Sequence, residues 1–83
     1  MNKQAQVTDG TLIIPDGTIE IEYHAYANRD DFERISFPES LTTIRECAFE
    51  HCTELIELTL PKALVSVKYE AFKGCVSLQN VRN

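Results

Sequence analysis

The sequence repeats itself every 23 residues, and this period constrains the fold more than any other feature. Seven columns of small or apolar residues recur at this offset without a gap: Pro15/Pro38/Pro61, Ala25/Ala48/Ala71, Tyr26/Phe49/Phe72, Leu12/Ile35/Leu58/Val81, Phe32/Leu55/Leu78, Ile21/Ile44/Val67 and Ile14/Phe37/Leu60. A unit this short cannot bury its own apolar side, whereas stacked units bury it for one another. The period therefore predicts a solenoid of stacked coils.

The same period sets the predicted organisation of the chain. The whole chain, residues 1–83, is predicted to be one repeat domain. Its predicted parts are a lead-in at 1–11 with a turn at Thr8-Asp9-Gly10, full units at 12–34, 35–57 and 58–80, and the start of a fourth strand at 81–83. Each coil is expected to contact mainly its neighbours, so the middle unit should be the best covered.

Two kinds of local pattern alternate within a unit. Residues 57–60 alternate apolar and polar side chains, which is typical of a half-buried strand, and Pro61 ends that strand because proline cannot donate to a sheet. Residues 64–67 form a second, shorter extended piece. From Lys68 to Leu78 the apolar spacing becomes helical, which predicts one or two turns of α- or 3-10 helix.

The unit resembles the BspA-like leucine-rich repeat. The matching residues are Phe37-Pro38, Leu41, Ile44, Ala48-Phe49, Cys52 and Leu55, and again Leu60-Pro61, Leu64, Val67, Ala71-Phe72, Cys75 and Leu78. The resemblance implies an α/β solenoid, a right-handed leucine-rich-repeat superhelix of about three coils. Parallel strands would lie on one side and the short helices on the other. It further implies a role in protein–protein interaction or cell adhesion, often on bacterial or protist surfaces, and brings no catalytic residues.

Composition excludes several classes of partner. The formal net charge of −5 disfavours nucleic acid and anionic membranes, which bind through clusters of Lys and Arg. No apolar run is long enough for membrane insertion, and residues 1–10 lack the apolar core of a signal peptide. The chain is therefore expected either in the cytoplasm or as part of a larger secreted or cell-surface protein.

The strongest candidates for chemistry are His24, Cys47 and His51. Cys47 and His51 are four residues apart, and His24 and Cys47 share a column, so these three side chains could bind a metal or activate a thiol. A small metal- or thiol-dependent protein is thus the alternative function. Cys52 and Cys75, in the column of Arg29, are interpreted as core residues. No phosphate-binding loop or catalytic motif occurs, so neither an enzyme nor a cofactor is predicted.

A binding surface is expected on the face of the sheet. The outward residues of successive strands form two columns, and the predicted contact residues are Arg34, Ser36, Glu57, Thr59, Asn80 and Arg82. Arg34 and Glu57 are expected to be cross-strand neighbours. The expected partner is another protein.

The two ends of the array differ in sequence. Thr18, Tyr26 and Arg29 depart from the repeat pattern in the first unit, as suits a terminal cap. The last coil has no such departures and is expected to expose an apolar flank and an open strand edge. Open edges pair with other chains, so a homo-oligomer through the C-terminal edge is predicted.

Overall fold

The 23-residue period becomes one turn of a solenoid in the computed structural model, which describes residues 4–83. The coils stack into a β-solenoid of about three turns. Residues 4–83 form eight strands: β1 (Gln6–Thr8), β2 (Thr11–Ile13), β3 (Glu20–Ile21), β4 (Arg34–Ser36), β5 (Thr43–Ile44), β6 (Glu57–Thr59), β7 (Ser66–Val67) and β8 (Asn80–Arg82). The prediction of a solenoid is confirmed.

Two sheets run along the solenoid. The larger has the order β1-β2-β4-β6-β8, and the smaller has the order β3-β5-β7. From β2 onward every pairing is parallel, and partners differ by 23 residues, as in Leu12↔Ile35 and Ile21↔Ile44. A parallel pair needs a long connection, and one coil supplies it. The predicted parallel sheet is therefore confirmed, and the second extended piece of each unit forms the smaller sheet.

The core consists of the repeated columns. An aromatic column runs through all three coils: Phe49 is fully buried, with its ring centroid 5.4 Å from that of Tyr26 and 5.3 Å from that of Phe72. Phe37 approaches Phe49 edge-on at 5.9 Å. Stacked and edge-to-face arrangements are favourable for aromatic rings. Stacking of like residues thus makes one continuous core from three coils.

The predicted short helices are not formed by the described residues. The turn segments 23–28, 46–51 and 69–74 take their place. In the middle segment the amides of Cys47, Phe49 and His51 donate to carbonyls of the next coil, while the intervening amides donate to carbonyls three residues back. An α-helix would use all of these amides within the segment. Among residues 4–83 no helix has the length and apolarity needed to span a membrane.

Left-handed backbone explains why these segments turn. Positive φ recurs at the same offset in each coil, at His24, Cys47 and Glu70 and again at Asn28, His51 and Gly74. Within these three segments the left-handed residues are isolated, and each one interrupts the right-handed backbone that a helix needs. The predicted inward face is nevertheless correct, since Ala71 is buried and Phe72, Cys75 and Leu78 pack against the core.

A hairpin covers the N-terminal edge of the larger sheet. Strand β1 pairs antiparallel with β2, with Thr8 opposite Thr11. The two residues between them, Asp9 and Gly10, both have positive φ, which is the backbone of a tight hairpin turn. Arg29 covers the aromatic column at the same end, with its guanidinium carbon 5.7 Å from the ring centre of Tyr26. The first strand of the array thus has a hydrogen-bonded partner on each side.

Candidate functional site

The outward residues of the larger sheet form a continuous strip, which we call the sheet strip. It comprises the six residues predicted from the sequence, Arg34, Ser36, Glu57, Thr59, Asn80 and Arg82. The structure pairs Arg34 with Glu57 and Glu57 with Asn80 across neighbouring strands, and Thr59 with Arg82. Arg34 and Glu57 are half-buried, and the other four are exposed. The strip therefore offers guanidinium, carboxylate, hydroxyl and amide groups to solvent.

Arg34 is oriented toward the N-terminal end of the strip. Its side chain donates to Thr11 Oγ1 at 3.2 Å and to the carbonyl of Asp9 at 2.9 Å, and it lies 3.7 Å from a carboxylate oxygen of Glu33. Glu57 is its cross-strand neighbour, as expected, but no ion pair joins them among the contacts of the described residues. Glu57 therefore keeps its carboxylate available at the centre of the strip.

A second group of polar side chains lies on the turn side of the solenoid. His24, Cys47 and Glu50 each place a ligand-type atom within 4.8 Å of the other two. His24 Nε2 lies 3.9 Å from Glu50 Oε1. The left-handed turns bring these groups together, because His24 and Cys47 occupy the same position in successive coils. Glu50 follows Cys47 by three residues and returns to the same side.

Acidic groups surround the thiol of Cys47. Its Sγ lies 3.9 Å from Glu70 Oε1 in the next coil. Partial burial and the negative charges of Glu50 and Glu70 raise the pKa of the Cys47 thiol above its ordinary value. The thiol is thus protonated and weakly nucleophilic near neutral pH, which argues against the thiol-dependent version of the alternative function.

His51 lies outside this group, although the sequence suggested it as the third member. A Cβ added to Gly74 would come 2.3 Å from His51 Nδ1, so the imidazole lies directly over that glycine. Glu50 takes the predicted place of His51. The residues equivalent to Glu50 in the other coils are Ala27 and Lys73, so neither the spacing nor the repetition of residue types indicated Glu50 as a site residue. The one available signal was the i,i+3 relation to Cys47, which Glu70 and Lys73 repeat in the third coil.

The other two cysteines are structural. Cys52 is buried, and its thiol donates to the carbonyl of Tyr26 at 3.2 Å, while Cys75 donates to the carbonyl of Phe49 at 3.1 Å. The neighbouring Cys75 thiol and burial raise the pKa of Cys52. Both thiols are free, and each satisfies a carbonyl of the preceding coil. Their equivalent bonds fit the interpretation of the column as core.

Comparison with known proteins gives one clear match. The family described as "BspA type Leucine rich repeat region" matches residues 7–83, in six copies. No curated protein and no solved structure shows a significant match to the chain. The family match covers both the sheet strip and the turn-side group.

Proposed function

Because the chain belongs to the BspA-type leucine-rich repeat family, we propose that it is a non-catalytic protein-interaction or adhesion module, used alone or within a longer surface protein. Leucine-rich repeats commonly mediate protein interactions, which supports the general class. The contact surface in this proposal is the sheet strip, and the partner is another protein.

The parallel register of the larger sheet is the observation that supports this surface best. Partners such as Thr11↔Arg34 and Glu57↔Asn80 place equivalent side chains side by side on a rigid lattice. Strands lie about 4.8 Å apart in such a sheet, so the strip presents polar groups at fixed intervals. Solenoids bind partners along extended surfaces of this kind. A rigid array loses little conformational entropy on binding, which favours affinity.

A comparison of two triple variants tests the strip. The first changes Arg34, Glu57 and Thr59 to alanine. The control changes Arg45, Glu22 and Thr43 to alanine, which removes the same residue types from the other sheet and its flank. Proteins that the wild-type chain captures from a lysate are identified and purified. The affinity of each is then measured for the wild type and for both triple variants. Circular dichroism of each variant verifies that the solenoid is intact.

The two variants separate the possible outcomes. We expect the first triple variant to lose binding at least about tenfold, since a contact surface contains a few residues that each contribute more than about 1 kcal/mol. The control should bind as the wild type does. Equal binding by all three proteins would refute the sheet strip as the contact surface.

We further propose that the last coil pairs with a second copy of the chain. Val81 is 54% exposed, whereas Leu58, its equivalent in the preceding coil, is 4% exposed. Val67 is exposed in the smaller sheet, while Ile44 in the same column is fully buried. Strand β8 is the last strand of the larger sheet and has a free edge in the described residues. A two-fold axis beside β8 would place Val81 of one copy against Val81 of the other.

A further inference from the structure

The turn-side group combines three types of metal ligand. An imidazole, a thiol and a carboxylate lie within 4.8 Å of one another, and they come from two successive coils. His24 belongs to the first coil, while Cys47 and Glu50 belong to the second. Tyr23 stacks on the imidazole at 4.1 Å between ring centroids, nearly parallel at 12°. The tyrosine ring therefore covers one face of the imidazole.

We propose that His24, Cys47 and Glu50 form a zinc site that joins the first two coils of the solenoid. Nitrogen, sulfur and oxygen ligands together suit Zn²⁺, whereas Ca²⁺ and Mg²⁺ prefer oxygen alone. Zinc bonds of about 2.0–2.3 Å at tetrahedral angles place ligand atoms about 3.3–3.8 Å apart. The distance of 3.9 Å from His24 Nε2 to Glu50 Oε1 is already close to that range. The other two pairs of ligand atoms lie within 4.8 Å, so rotation of the side chains has to bring them about 1 Å closer at most to reach about 3.8 Å.

The local charge balance favours a cation at this position. The carboxylate of Glu50 lies in the group and that of Glu70 lies 3.9 Å from Cys47 Sγ, while Lys73 pairs with Glu70 at 3.0 Å. When zinc binds, the S–H bond of Cys47 breaks, the proton passes to the buffer and a sulfur–zinc bond forms. The ion thus offsets the charge of Glu50 and of the new thiolate. Three protein ligands leave the fourth position for water.

This site is independent of the sheet strip. It lies on the turn side, and its ligands contribute nothing to the two outward columns of the larger sheet. Zinc bound there would hold two coils in register and so stabilise the stacking on which the solenoid depends. Loss of zinc binding would therefore not contradict partner binding by the sheet strip, and the reverse also holds.

Metal titration of the chelator-treated protein tests the site. Zn²⁺ binding is measured by competition with a zinc indicator, and Co²⁺ is added separately, because a thiolate ligand gives a charge-transfer absorption with cobalt. The variants are His24→Asn and Cys47→Ser. The matched control is His51→Asn. Both histidines have positive φ, at 58° and 59°, and asparagine tolerates that backbone.

We expect one zinc ion per chain in the wild type and in His51→Asn. His24→Asn should bind on the order of tenfold more weakly or worse, since it loses a direct ligand. Cys47→Ser should lose the cobalt charge-transfer band. Equal affinity of His24→Asn and His51→Asn, or no binding by the wild type, would overturn the proposal.

A measurement on the wild type alone guards against variants that do not fold. Iodoacetamide modification of each cysteine is followed by peptide mapping, with and without Zn²⁺. Zinc should protect Cys47 strongly and leave the modification rates of Cys52 and Cys75 unchanged. Protection of all three cysteines together, or of none, would contradict a site at Cys47.

Discussion

Phe49 is the side chain that links all three coils. It is fully buried, stacks on Tyr26 and Phe72 and meets Phe37 edge-on. Truncation leaves a cavity between coils that the stacked rings cannot close. We expect Phe49→Ala to lower the free energy of unfolding by on the order of 3–5 kcal/mol, measured by urea denaturation.

Phe72→Ala is the matched control for that substitution. Phe72 belongs to the same column but is only half-buried and stacks on one ring, Phe49. Its truncation should cost clearly less than that of Phe49, because less apolar area returns to water. An equal or larger loss of stability for Phe72→Ala would contradict the claim that the middle ring of the column contributes most to stability.

At the scale of single residues, the sequence predicts the core well and the turn-side group poorly. Phe49 could be assigned to the interior because Tyr26 and Phe72 repeat it at the same offset. Glu50 could not, because its column changes from alanine to carboxylate to ammonium. A repeated apolar residue reports a shared environment. A polar residue that does not recur in its column gives no indication of its environment until the backbone shows which side chains lie beside it.

The tight turn between β1 and β2 is the element on which the N-terminal hairpin depends. Gly10 has φ of 77°, and its carbonyl accepts the amides of Glu33 at 2.7 Å and Arg34 at 3.1 Å. A side chain at this φ strains the backbone. We expect Gly10→Ala to lower the free energy of unfolding by about 1–2 kcal/mol, measured by thermal or urea denaturation.

Asp9→Asn provides the control for the hairpin. Asp9 also has positive φ, at 49°, and asparagine is at least as tolerant of that backbone. The control should change stability by less than about 0.5 kcal/mol. A Gly10→Ala protein as stable as the wild type would mean that the turn does not need the left-handed conformation.

At the scale of elements, the strands and the turn at Asp9-Gly10 were predictable, and the turn segments 23–28, 46–51 and 69–74 were not. The helical spacing of Ala71, Phe72, Cys75 and Leu78 correctly indicated their inward face, because a chain of turns with bonds three residues back has nearly the same periodicity. The apolar spacing does not reveal the left-handed residues, because His24, Cys47 and Glu70 occupy the same position with three different residue types. Backbone hydrogen bonds between coils determine the conformation of the turn segments, and these bonds form only when whole units stack.

At the scale of the whole molecule, the two ends of the solenoid differ. Strand β1 covers one edge of the larger sheet through antiparallel pairing. The first coil also carries Arg29 over its aromatic rings, paired with Asp31 at 2.6 Å. The hairpin and Arg29 therefore cover the sheet edge and the aromatic column at this end. In the last coil Val65, Val76 and Val81 are all more than half exposed.

This asymmetry predicts concentration-dependent self-association through the last coil. Light scattering across a concentration series should show a monomer passing to a dimer, since an exposed apolar flank beside a free strand edge favours pairing. Val81→Lys should shift the chain to the monomer without unfolding it, because Val81 is 54% exposed.

Ile13→Lys is the control, as Ile13 is also an exposed aliphatic residue of the larger sheet, at 43%, but lies at the opposite end. It should leave the dimer intact. A monomer at every concentration, or equal dissociation by both variants, would contradict pairing through β8 and leave the flank as a surface for a further coil of a longer chain.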